Sequence, residues 1–114
     1  MDNSTTIDSL SLNGCGVISY VEVDVDIAHT YIGDLTVVLS SPNGTQVVLH
    51  NATGGNANDI SGTYADSGGD FTPAQSLAGF NGAASGGTWT FSVSDSANGD
   101  SGTLNSWGVY VECI

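Results

Sequence analysis

Neither lysine nor arginine occurs anywhere in this 114-residue chain, while Asp and Glu together number 12. The formal charge at pH 7 is −12. No side chain can neutralise a phosphate, so nucleic acid is not an expected partner. An anionic membrane surface would repel the chain. The carboxylates also have no internal counter-cation. Any Asp that folding buries must find hydrogen-bond donors, a proton or a metal ion. Two compatible readings follow: a soluble, acidic extracellular protein, and carboxylates placed to hold cations.

Other scarcities narrow the class. No stretch approaches the roughly 18 apolar residues of a transmembrane helix. No basic n-region precedes an apolar run, so no signal peptide is expected in these residues. No segment of useful length repeats its apolar residues at helical spacing. There are only two cysteines, Cys15 and Cys113. A bridge between them would close nearly the whole chain and contribute about 4–5 kcal/mol through loop entropy. Two buried free thiols are the alternative. The bridge is the expectation, because the remaining features read as secreted.

Turn formers and alternating apolar residues dominate what remains. Sixteen glycines and 39% hydrophobic residues fit one modest core with many turns. In residues 17–27, Val21, Val23, Val25 and Ile27 point one way, and Glu22, Asp24 and Asp26 the other. Strands are also expected over 35–40, 46–50, 88–94 and 104–112, with short ones at 60–64 and near Phe80. The pattern predicts an all-β antiparallel sandwich over residues 12–114, preceded by a flexible lead-in over 1–11. Residues 51–87 form a long glycine-rich middle, anchored by Ile60, Tyr64, Phe71, Leu77 and Phe80.

Catalytic chemistry is hard to assemble. No Gly-x-Ser-x-Gly elbow and no zinc spacing occur. The histidines are His29 and His50, and nothing in their spacing marks a triad. A paired-carboxylate hydrolase would need more aromatic surface than this chain carries. Cation chemistry has better material, since calcium takes six to eight oxygens. Residues 56–70 supply Asn56, Asn58, Asp59, Asp66 and Asp70, without the EF-hand ligand order. Residues 95–102 supply Asp95 and Asp100, for which capping of Asx turns is the competing role. The row Glu22, Asp24, Asp26 is a solvated face or a cation site shared with a loop. Asn3, Asn43 and Asn51 begin glycosylation sequons, but Asn43 is better explained by its turn.

Several short motifs occur in a fixed order. His29-Thr-Tyr-Ile-Gly33-Asp34-Leu is followed by Ser41-Pro42-Asn43-Gly44-Thr45. Phe80-Asn-Gly, Gly87-Thr-Trp89-Thr-Phe and Gly102-Thr-Leu-Asn-Ser-Trp107 come next. This set resembles the P domain (homoB domain) of subtilisin-like proprotein convertases and secreted bacterial proteases. The resemblance implies a jelly-roll β-sandwich without catalytic residues, secreted with a serine protease. It implies a partner in the catalytic domain of the same polypeptide, whose folding and stability it supports, and a role in binding protein substrate. It also raises calcium as a cofactor, without assigning ligands. His29, Gly33, Asp34, Pro42, Gly44, Thr45, Trp89 and Trp107 are then structural motif positions. The alternative is a calcium-dependent carbohydrate- or matrix-binding jelly roll, with Trp89 and Trp107 as stacking platforms. The exposure of the two tryptophans separates these readings.

Overall fold

The computed structural model describes residues 5–29, 35–52, 59–66, 68–95 and 102–113. Strands form wherever period-two sequence can bury one face. They are β1 (Thr5–Leu12), β2 (Ile18–His29), β3 (Leu35–Ser40), β4 (Gln46–Asn51), β5 (Ile60–Tyr64), β6 (Gly87–Asp95) and β7 (Gly102–Cys113). One sheet has the order β1-β6-β3-β4 and the other β5-β2-β7, every pairing antiparallel. Together they make the jelly-roll sandwich that the sequence predicted.

The core is the contact between the two inner faces. Val21, Val23, Val25 and Ile27 of β2 are buried, against Leu35, Val37 and Leu39 of β3 and Trp89, Phe91 and Val93 of β6. Register shifts adjust the alternation. One lies between Ile18 and Tyr20, and it lets Ile18 and Val21, three residues apart, both face inward. Another, between Asp26 and Ile27, does the same for Leu104 and Trp107 on β7. Trp89 is fully buried, edge-on to Phe80 with centroids 5.2 Å apart, and its indole N–H donates to the Ser85 carbonyl at 3.0 Å.

The β3–β4 turn uses the residues its sequence offers. Gly44 sits at φ +89° and donates to the Ser41 carbonyl at 3.0 Å, and Ser41 donates to the Thr45 carbonyl at 2.8 Å. The Asn43 side chain accepts from the Ser41 hydroxyl and the Thr45 N–H. Pro42 lies so close to Gly87 that a Cβ there would meet it at 2.8 Å. Cys15 and Cys113 are bridged, with Cα atoms 5.8 Å apart.

Two expectations are corrected. Residues 5–11 are no loose lead-in, because β1 pairs with β6 from Thr5↔Ser94 to Leu12↔Gly87. Their polar sequence concealed this: only Thr6, Leu10 and Leu12 of β1 are half-buried, since an edge strand has little core to cover. The strand expected near Phe80 is a 3-10 turn, Leu77–Phe80. Its two core residues are three apart, which suits the 3.0-residue period, and Ser76 caps it by accepting from the Ala78 N–H.

Candidate functional site: the loop end of the sandwich

The registers bring several candidates to one end. β2 finishes at His29, opposite Gly102. β5 starts at Ile60, opposite Ile27. In the other sheet Leu35 lies opposite Asp95, and the Ala52 N–H donates to the Leu35 carbonyl at 2.8 Å. His29, Asp59 and Asp95 therefore stand at strand ends on the same end of the fold. Gly33, Asp34, Asn56, Asn58 and Asp100 lie outside the described residues, as does the His29 side chain. Asp59 adopts φ +62°, a left-handed conformation that a short polar side chain tolerates. Asp95 is 4% exposed and engaged with neighbouring groups. Asp59 and Asp95, from two acidic stretches far apart along the sequence, thus stand at the same end of the fold.

Asp66 and Asp70 lie elsewhere and hold the glycine-rich middle. Asp66 Oδ1 accepts from the Leu77 N–H at 2.9 Å, and Oδ2 from the Ser76 hydroxyl at 2.8 Å and the Ala78 N–H at 3.2 Å. These donors fix the 3-10 turn and leave little of the carboxylate for a cation. Asp70 Oδ2 accepts from the Thr63 N–H at 3.0 Å. Among the described residues, no three His, Cys, Asp or Glu side chains gather as a metal cluster. Asp59 and Asp95 carry carboxylate oxygens, the kind calcium takes.

The outer face of β5-β2-β7 is a hydrogen-bonded acidic surface. The Thr63 hydroxyl donates to Asp24 Oδ1 at 2.7 Å. The Tyr20 hydroxyl donates to Glu22 at 2.6 Å, and the Tyr110 hydroxyl to Glu112 at 2.9 Å. The carboxylate Glu22 pushes the Tyr20 hydroxyl up to about 12, and Glu112 raises that of Tyr110. Burial alone pushes Tyr64 up to about 12.

The tryptophans are not sugar platforms of the expected kind. Trp89 is in the core. Trp107 is half-buried, stacked on Phe91 at 4.9 Å, and its indole N–H donates to Asp8 at 2.9 Å. His50 is 7% exposed and engaged. Sequence reasoning missed Ser85, which is 1% exposed beside the disulfide. It accepts from the Cys15 N–H at 2.8 Å and donates to the Gly16 carbonyl at 2.9 Å. No local pattern marks a lone serine 70 residues from its partner.

Comparison with known proteins matches residues 18–111 to the proprotein convertase P-domain profile. The chain belongs to this family. The profile match begins at the first residue of β2, so β1 of this P domain stands outside it. A calcium-dependent protease of Nostoc sp. is 39% identical over 108 residues, which is 92% of this chain and 16% of that protein. A transglutaminase-activating metalloprotease of Streptomyces mobaraensis is 40% identical over 90 residues, 78% of this chain and 10% of that protein. The crystal structure of a serine protease of Aeromonas sobria shares the fold, with a TM-score of 0.57 at 21% identity, covering 96% of this P domain and 20% of that chain. The P domain thus spans a small part of each relative, and those relatives are proteases.

Proposed function

We propose that this P domain is a non-catalytic accessory module of a secreted bacterial subtilisin-like protease. It supports the folding and stability of the catalytic domain in the same polypeptide and contributes to substrate binding. The observation that carries the reading is the pattern of coverage: nearly all of this chain aligns with a small part of a much longer protease. A comparable identity to a relative named as a metalloprotease points the same way, since a module found beside different catalytic chemistries serves something other than the chemistry. The burial of Trp89 counts against the carbohydrate-binding alternative. Purified chain should leave casein intact. Hydrolysis abolished by His29→Ala or His50→Ala would overturn the accessory role.

Calcium is part of this reading. Asp59, Asp95 and Asp100, with Asn56 and Asn58, are the assigned donors, and the relative named a calcium-dependent protease supports the choice of ion. Asp66 and Asp70 are left out because they lie elsewhere in the fold, Asp66 on the 3-10 turn and Asp70 on the Thr63 N–H. A divalent ion would relieve repulsion in a chain of charge −12. At a hundredfold excess over the dissociation constant it would add about 2.7 kcal/mol. The melting temperature should rise in millimolar calcium and fall in chelator at constant ionic strength. Equal melting temperatures would remove calcium from the account.

A further inference from the structure

Among the described residues, four strands lie at sheet edges: β1, β4, β5 and β7. Two are covered by the chain itself. The Ala74 and Gln75 N–H groups donate to the carbonyls of Leu49 and Val48, and the Gln75 side chain accepts from the Val48 N–H, so β4 is capped. The Phe71 N–H donates to the Thr63 carbonyl and the Ala65 N–H to the Phe71 carbonyl, so β5 is capped. Among the described residues, no backbone hydrogen bond reaches the outer edges of β1 or β7. These two strands flank the same side of the sandwich.

They differ in protection. β1 has eight residues and an inward-facing charge, Asp8, opposite Phe91. An inward charge guards an edge against pairing. β7 has twelve residues and contains no proline, no cation and only one acid, Glu112. Along its regular stretch over 106–112, no described backbone group outside the sheet pairs with the outer donors and acceptors. Tyr110 on it is 51% exposed. On the inner side, two hollows run along the seam with β1. One, of about 420 Å³, lies between Leu104 and Trp107 on one wall and Thr6 and Asp8 on the other. The second, of about 250 Å³, lies between Leu12 and the pair Val109 and Val111.

We propose that β7 accepts an extended segment of a partner protein as an added strand, and that the segment alternates basic with apolar residues. Main-chain bonds to β7 hold it, and alternate side chains select it. Inward side chains enter the two seam hollows and are apolar. Outward side chains lie over the acidic face. There Gly108 sits opposite Asp24, and its missing side chain leaves open space. Strands are about 4.8 Å apart, so an added strand lies about 9.6 Å from β2. An Arg or Lys crossing Gly108 spans that gap to Asp24, with Asp26 and Glu22 on either side. A chain of charge −12 without Lys or Arg favours a basic partner and disfavours a second copy of itself.

The test uses the whole chain and the synthetic peptide (Arg-Val)5. Addition should slow amide exchange over 103–112, and not in β4 or β5, and should change the half-buried Trp107 emission. Affinity should fall with salt, and (Glu-Val)5 should not bind. Peptide N-methylated on the residues that face β7 should lose at least tenfold, a result that leaves the protein unaltered. The Asp24→Asn/Asp26→Asn variant should lose about two- to fivefold. Absence of binding at millimolar peptide, equal binding of the N-methylated peptide, protection centred on β4 or β5, or dimerisation through β7 without peptide would each overturn the proposal.

Discussion

Removing the Cys15–Cys113 bridge is the sharpest perturbation of this fold. The two cysteines are 98 residues apart, so the bridge confines almost the whole unfolded chain. The loop-entropy relation gives about 4.7 kcal/mol for a loop of this length. A domain of this size is stable by about 5–15 kcal/mol, so the bridge supplies a third of that or more. The bridged ends are also integrated locally: Ile18 pairs with Cys113, and Ser85 bonds to the Cys15 backbone. The assay is urea unfolding of wild type and the Cys15→Ala/Cys113→Ala variant. With a slope of about 2 kcal/mol per molar urea, the midpoint should fall by about 2 M. The slope itself should rise, because the released unfolded chain exposes more surface. A loss below about 1 kcal/mol with an unchanged slope would refute the reasoning. It would mean that the unfolded chain is already confined by something other than the bridge.

Asp66→Ala removes the acceptor of three hydrogen bonds at the 3-10 turn and should cost about 0.5–2 kcal/mol, the range for a lost cap. The loss in thermal melts should be the same with calcium and with chelator, since Asp66 acts here as a cap. At alkaline pH the tyrosines set the limit. Tyr64 and Tyr20 titrate near 12 in the folded chain against an ordinary 10, so the unfolded state releases protons first. Their contribution is intact below pH 10 and is lost as pH rises from 10 to about 12. Chemical denaturation across that window should show a steep decline, which Tyr64→Phe makes shallower.

The sandwich was legible because its inner strands obey strict alternation, as Val21 to Ile27 and Trp89 to Val93 show. β1 was not, since an edge strand with polar residues on both faces carries no period. Phe80 misled because an apolar residue between glycines reads equally as strand or turn, and only the Ser76 cap and the spacing to Leu77 decide. At the candidate site, the residue types were readable and their grouping was not. Asp59 and Asp66 are neighbours along the chain, yet β5 carries them to different ends of the fold. Asp95, distant along the chain, returns to the end where Asp59 sits. That grouping is fixed by strand register, which long-range pairing determines. The hydrogen bonds of Asp66 carry no local signal, because its partners, Ser76 to Ala78, lie ten or more residues away.

This P domain is proposed to stabilise a protease rather than to perform its chemistry. The direct measurement is the heat-inactivation half-life of the full polypeptide that carries it, compared with the same polypeptide ending before this domain. Both should be assayed on a small peptide substrate that does not need the accessory surface. The truncated form should show a much shorter half-life and a lower yield of folded enzyme, with similar activity per folded active site. Equal half-lives and yields, or loss of the chemical step with folding intact, would contradict it.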